Sequence, residues 1–388
     1  MPEISLFIYE GNPMRFQDIP GLEQTKKQLS QSVLNEHIAH AQLFHGPTGG
    51  AQLAMAMAFT SFLFCTNRQG DDSCGTCPSC QKVHKGIHPD IVYLFPSVTT
   101  KKVKEAESDA FLPEWRSFIS TSLYRTLPEW LGAMGAEGNK QGNIPVEETR
   151  KLLGKISLKP FEAPFKVVII WNPESLNLSS GNALLKTLEE PPSSTLFLLV
   201  CSDAQKLLTT ILSRTQRIAI QTVDEASLSE YLVKETGTSL ENAQNLAISC
   251  EGNISWALEK AKSENLSTST WFADWMRAVY QKNLSKLVGL SEQFDGLSKE
   301  DQKSLLEYAL HIFRQCVYQI SDAPSLIKAL EKEKPFIANF SKTLNRNAIE
   351  KISEKVSTAH YHLERNGRAK MIHLDLSLQI IRIANANK

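Results

Sequence analysis

The sequence predicts an α/β fold: a parallel sheet with helices on both faces, followed by an all-helical C-terminal part. Three observations predict it. Short apolar runs of strand length recur at 41–46, 90–96, 165–171, 195–202 and 216–221. Helix-patterned stretches separate them. From about residue 223 the strand-like runs stop. Apolar strands alternating with helices argue a parallel sheet covered on both faces.

Each element has its own justification. Leu22, Leu29, Val33, Leu34 and Ile38 give residues 22–38 a helical spacing. AQLFHG (41–46) is a short apolar run ending in glycine, a strand entering a loop. Residues 52–64 are helical in composition, and DIVYLFP (90–96) reads as a strand. PVEETRKLLGKISLKP (145–160) is helical, with acidic residues in the first turn where they suit the dipole. FKVVIIW (165–171) is a buried strand by its β-branched content. SSGNALLKTLEEPP (179–192) is a helix stopped by two prolines. TLFLLVCS (195–202) and QRIAIQ (216–221) complete the strands.

The segment 97–144 interrupts this order. It holds a basic run (KKVK, 101–104), several aromatics and a glycine-rich stretch (GAMGAEGNKQGN, 132–143), and reads as an inserted, partly flexible excursion. Residues 223–264 read as a small helical unit and 265–388 as all-helical. Leu305, Leu306, Ala309, Leu310, Ile312, Phe313, Cys316, Val317 and Ile320 keep a 3.6 period. Near the end, Leu374, Leu376 and Leu378 alternate like a strand, while Met371, Leu374, Leu378 and Ile381 are spaced like a helix. The helical neighbourhood favours the helix.

At 388 residues, two or three domains are expected. Lys plus Arg number 42 and Asp plus Glu 42, a formal net charge of zero. A broad nucleic-acid grip usually shows a basic excess, so any DNA contact is expected to be local or shared with partners. No run of 18 apolar residues exists and the N-terminus lacks a leader pattern, so no membrane span and a cytoplasmic location are expected.

GPTGGAQLA (46–54) lies between a strand and a helix, where a phosphate-binding loop belongs. In the pattern G-x-x-x-x-G-K-[ST], Gly46 holds the first position and Gly49 lies within the loop. Ala51 replaces the second glycine, Gln52 the lysine and Leu53 the hydroxyl residue. The groups that neutralise phosphate and hold Mg²⁺ are missing. A glycine-rich turn without a ligand is the plain alternative. FKVVIIW is the candidate for the second nucleotide motif, which should end in an acidic pair. It ends in Trp171 and Asn172, and Glu174 comes two residues too late. A nucleotide-binding fold that is hydrolytically inert explains both losses at once.

Four of the seven cysteines, Cys65, Cys74, Cys77 and Cys80, fall within a C-x8-C-x2-C-x2-C cluster. Four thiolates at short spacing suit tetrahedral Zn²⁺ in a closed, structural site. Gly75 and Pro78 favour the turns between them. Four unligated surface cysteines are the alternative. His84 and His88 could substitute for a ligand but read as ordinary loop residues. Cys201, Cys250 and Cys316 lie in apolar surroundings and read as core.

Residues 165–220, and NALLKTLEEPP above all, resemble the core of bacterial clamp-loader subunits of DNA polymerase III, which are AAA+ ATPases or their inactive relatives. FQDIPGLEQTKKQLSQSV and the strand and loop at 41–54 fit the same family. The lost lysine, the lost acidic pair and the short C-terminal region resemble its delta-prime type rather than the ATP-hydrolysing gamma/tau type. The resemblance covers about 10–95, 145–262 and, more weakly, the C-terminal helices; it leaves 97–144 unexplained.

The resemblance implies an AAA+ domain at 1–222, with a zinc module at about 65–90 and the insertion at about 97–144. A helical lid at 223–264 and a collar for oligomerisation at 265–388 follow. It implies that Arg214, in ILSRTQ, reaches the ATP of a neighbouring subunit as an arginine finger, with Ser213 beside it. Thr215 stands where the family has cysteine. A surface arginine capping a helix end is the plain alternative. Ser255 stands where active relatives carry a lid arginine, and Trp256 beside it reads as packing. The implied partners are gamma/tau and delta subunits and, through the complex, the sliding clamp and primed DNA. No tightly bound ATP and no ATPase activity of the isolated chain are expected, although the assembly belongs to the polymerase holoenzyme. Two other readings are weighed. An active gamma/tau-type motor would need a lysine at 52 and acids at 171 and 172. A zinc-dependent DNA-binding protein would need a basic excess near the cysteines, and 65–90 has none.

Overall fold

The computed structural model describes residues 14–386, apart from 102, 105, 137–139, 263–267, 298, 324, 325, 328, 330–332 and 366. The N-terminal stretch read for a leader, and part of the glycine-rich stretch, lie outside the described residues. Two compact units are present. The first takes the described residues up to Thr238 together with Gly252–Glu259; the second takes Ser239–Glu251 and the residues from Lys260 onward.

The first unit is built on one parallel sheet. Its strands are β1 (Ala41–His45), β2 (Ile91–Leu94), β3 (Lys166–Trp171), β4 (Thr195–Cys201) and β5 (Gln216–Ala219), in the order β2-β3-β4-β1-β5. Every residue of β3 and β4 is buried, as expected of central strands covered on both faces. β1 lies between β4 and β5, with Phe44 paired to Val200 and to Ile218. The first strand in sequence is thus internal. The loop that follows it emerges beside the ends of β3 and β4, in the region where ligands bind to open α/β sheets. The fold is of the α/β class that the sequence predicts, with one parallel sheet and a helical C-terminal part. All five strands stand where expected.

The excursion is an insertion between β2 and β3, as expected, and its described residues carry more regular structure than its composition suggests. It forms helices at Leu112–Thr121 and Leu127–Ala133. Trp115 and Trp130 are fully buried. Trp115 stacks on Phe95 with ring centroids 4.5 Å apart and meets Trp130 edge-on at 5.3 Å. Trp130 Nε1 donates to the Pro96 carbonyl at 2.7 Å, and Ser97 exchanges backbone hydrogen bonds with Asn143. The Glu148 carboxylate accepts from Ser108 N at 2.7 Å and is also bonded to the Ser108 hydroxyl. Aromatic burial and these ties hold the segment against the sheet.

The second unit is helical among its described residues. Its core joins Trp271, Trp275, Phe294, Phe313, Ile352 and Leu376. Leu305, Leu306, Ala309, Ile312, Phe313 and Cys316 form the buried stripe of the helix Lys299–Ile320, as their period predicts. The last segment is the helix Ala369–Ala386. Its buried face differs from the apolar set: Met371 is 61% exposed, while His373, Leu376, Ser377 and Ile380 are buried. His373 Nδ1 and Ser291 Oγ lie 2.8 Å apart, and Trp275 Nε1 donates to Ser377 Oγ at 2.8 Å. His373, bonded through Nδ1 only, and Ser377 thus share the buried face, which is not the one that hydrophobicity alone selects. Among the described residues no helix is long and apolar enough to cross a membrane.

Candidate functional site

β1 delivers residues 46–51 to the carboxyl edge of the sheet, and the helix Gln52–Phe64 begins at once. Close approach explains the glycines. A Cβ on Gly46 would lie 2.3 Å from the Ile220 carbonyl oxygen. Gly49 has φ +75°, and a Cβ there would lie 2.4 Å from Asn253 Oδ1. Gln52, at the lysine position, is buried, and its Nε2 donates to the Pro47 carbonyl at 2.7 Å. The amide therefore closes the loop on itself. Leu53 is buried as well.

The loop is backed by residues 253–256. Asn253 Nδ2 donates to the Thr48 carbonyl at 3.2 Å, and Ser255 N donates to the Gly49 carbonyl at 3.0 Å. Ser255 thus stands against the glycine loop with a neutral side chain. The cleft in front of the loop has a volume of about 20 Å³, room for roughly one water. Its walls include Gln52, Leu53, Trp171, Asn172 and Cys201, together with Leu123, Arg125 and Leu127 of the excursion. Cys201, Cys250 and Cys316 are buried, in keeping with core roles.

The end of β3 supplies no carboxylate to this cleft. Trp171 is buried, with its ring 5.3 Å from that of Trp115 and 5.8 Å from that of Phe118. Asn172 follows in the left-handed region at φ 50°. Glu174 Oε1 accepts from Ser202 N at 2.7 Å and Asp203 N at 2.9 Å, which ties the end of β3 to that of β4. Its Oε2 is buried without a hydrogen bond, and burial pushes its pKa up.

The structure brings the four cysteines together. The sulfurs of Cys65, Cys74, Cys77 and Cys80 all lie within 4.8 Å of one another. Cys65 ends the helix Gln52–Phe64, and Pro78 opens the helix Pro78–His84. Gly75 makes the turn between at φ +70°. Cys74 N donates to Cys65 Sγ, and Cys77 N to Cys74 Sγ, both at 3.3 Å. Burial pushes the Cys74 thiol up, but the N–H groups of Cys77 and Thr76 and the Thr76 side chain outweigh it and bring it to about 6. Burial holds Cys65 and Cys80 above the usual thiol range. A bound cation would supply the charge that stabilises these buried groups as thiolates. Four sulfur donors at this separation fit a metal ion.

The Asp72 carboxylate accepts from Phe16 N at 3.0 Å and Gln17 N at 2.9 Å, anchoring the module to the start of the described chain. His84 and His88 stand outside the sulfur group. His88 Nε2 lies 3.3 Å from Glu162 Oε1, and burial lowers the His88 pKa.

Arg214 follows the short helix Thr209–Leu212 and does not line the cleft. Its NH1 donates to the Thr210 carbonyl at 2.9 Å and to Ser213 Oγ at 3.2 Å. Its Nε donates to Glu189 Oε1 at 2.5 Å. The capping contact foreseen by the plain reading is therefore present. Glu189 escaped sequence reasoning, as did Asn253, Asp72 and the excursion residues of the cleft. Asn253 had a local signal, an Asn at the start of a helix; the others are long-range partners.

Comparison with known proteins adds family membership. The family described as "DNA polymerase III, delta subunit" matches residues 21–224. The chain is 25% identical over 344 residues to the DNA polymerase III subunit tau of Bacillus subtilis, covering 83% of this chain and 53% of the relative. It is 24% identical over 359 residues to the DNA polymerase III subunit delta' of the same organism, covering 91% of this chain and 94% of the relative. A DNA polymerase III gamma subunit-related protein of Thermotoga maritima aligns at a TM-score of 0.37 and 14% identity, over 94% of this chain and 99% of that one. The chain spans about half or less of the tau and tau/gamma relatives it matches.

Proposed function

Since the chain belongs to the DNA polymerase III delta-subunit family, we propose that it is a non-hydrolysing, delta-prime-type subunit of a clamp loader. It would serve the loading of a sliding clamp onto primed DNA in the cytoplasm, beside gamma/tau and delta partners. The carrying observation is the closed phosphate loop. Gln52 is turned back onto Pro47, and Trp171 occupies the strand end where an acid belongs. The cleft between them holds about 20 Å³. Ser255 adds a neutral group beside the loop. The chain would take part through its neighbour's ATP. In this reading Arg214 is the trans-acting finger and Ser213 its neighbour, residues 223–264 act as the lid, and residues 265–388 form the collar that joins the subunits. The metal is structural Zn²⁺: four cysteines close the tetrahedral shell and leave no position for chemistry.

A gamma/tau-type motor is the competing reading, because relatives of both kinds match at similar identity. It would need phosphate and Mg²⁺ groups that positions 52, 53, 171 and 172 do not supply. A lysine-to-phosphate contact is charge-assisted, typically ~1.5–3 kcal/mol. Calorimetry of the isolated chain with Mg-ATP separates the two readings. No submicromolar binding is expected, and submicromolar affinity would overturn the proposal.

A further inference from the structure

The Arg214 guanidinium is engaged inside its own chain. Nε donates to Glu189 Oε1 at 2.5 Å, and NH2 is paired with the same oxygen. NH1 is held by the Thr210 carbonyl and Ser213 Oγ. Every guanidinium nitrogen thus has a partner, and both edges that could offer a two-toothed fork to phosphate are occupied. The NH1 contacts are to neutral oxygens, whereas Glu189 also neutralises the charge that a finger needs. Glu189 ends the helix Leu178–Glu189, where the carbonyl end of the dipole disfavours an anion and a nearby cation relieves it.

Resting on the reading of Arg214 as a trans-acting finger, we infer that Glu189 is a latch. It parks the guanidinium in the free chain, and engagement exchanges its carboxylate for the phosphate of the neighbour's nucleotide. The exchange is accessible because both side chains are partly exposed, 31% for Arg214 and 47% for Glu189. An exposed pair is weak and screened by salt. A phosphate chain carries more negative charge than one carboxylate and accepts the same planar fork, so it displaces Glu189 once the neighbour docks. A residue that oriented the finger for reaction would act in the opposite sense: its loss would slow turnover.

The two senses are separated in the reconstituted clamp loader, with ATP turnover and subunit assembly measured for Glu189→Gln, Arg214→Ala and the double variant. Glu189→Gln keeps the shape and removes the charge, and its exposed position leaves folding intact. The latch predicts that Glu189→Gln raises turnover at limiting ATP by up to about fivefold, the range an exposed pair spans, with assembly unchanged. It also predicts that the double variant matches Arg214→Ala, since a latch has no effect without the group it holds. Unchanged or lowered turnover in Glu189→Gln, with Arg214→Ala still impaired, would overturn the latch while leaving the finger in place. Normal turnover in Arg214→Ala would overturn the finger itself, and the latch with it.

Discussion

Replacing Arg214 with alanine is expected to lower clamp-stimulated ATP turnover and clamp loading by the assembled complex, while leaving the isolated chain unaffected. Phosphoryl transfer spreads negative charge over oxygens and asks little covalent chemistry of the protein, so a positioned cation at a subunit boundary has large leverage. Arginine suits the place because its guanidinium stays charged and offers planar donors. Fingers of this kind change rates by ~10³–10⁵ in the best-studied systems. A complex with several ATP sites would dilute that effect. Folding should survive, because Arg214 is partly exposed and its pair with Glu189 contributes about 0–1 kcal/mol. Thr215, which follows it, is tied to the Ile211 carbonyl at 3.1 Å by its hydroxyl and asks nothing of the arginine. Steady-state turnover and loading assays on the reconstituted complex check this. Normal rates with alanine at 214 would leave Arg214 as a surface cap on Thr210.

Loss of the proposed metal is expected to be the second large perturbation. Cys77→Ser is expected to lower the zinc content from about one ion per chain, the stoichiometry of a four-cysteine site, and to loosen residues 65–84. Structural zinc is worth about 10–16 kcal/mol of apparent binding energy in zinc-finger peptides, so the local effect is large. Cys77 is only partly buried whereas the other three cysteines are buried, so the exchange perturbs packing least. The disturbance should spread to residues 16 and 17 through Asp72, whose carboxylate holds their N–H groups. It should spare the helical second unit, which has its own core. Coordination needs thiolates, so zinc is also expected to leave as the pH falls. Elemental analysis and limited proteolysis read out both effects. Protein purified without chelator that carries no zinc, or a Cys77→Ser variant as protected as the parent, would contradict the assignment.

Local signals made the strands legible. After Lys166 and Thr195 at their starts, the β3 and β4 runs are apolar because both faces are covered, so the runs themselves mark the strands. The cysteine cluster was legible for a similar reason: its ligands fall within one turn-rich stretch, and spacing alone brings them close. The excursion was not. Its glycines and basic run suggest a partly flexible excursion, while its described helices rest on Trp115 and Trp130 packing on Phe95, a contact that no local pattern encodes. The inward face of the last helix was hidden because His373 and Ser377 count as polar until their buried partners are known.

At the candidate site, the losses at 52 and 53 could be read from the phosphate-loop pattern, and those at 171 and 172 from the strand end where the second motif places its acidic pair. What fills the space could not. Gln52 turns onto a carbonyl five residues earlier, and the 123–127 segment arrives from another part of the chain. Glu189 lies 25 positions before Arg214, so their pairing follows from the sheet topology and not from spacing.

The proposal that this chain supports a clamp loader without hydrolysing ATP itself is open to direct test. It is tested most directly by co-purifying the chain with the clamp-loader subunits of its own cell and assaying ATP turnover with and without it. The chain is expected to enter the complex, to show no turnover alone, and to raise clamp-dependent turnover of the ATPase subunits. A chain that stays out of the complex, or one that hydrolyses ATP by itself, would contradict it.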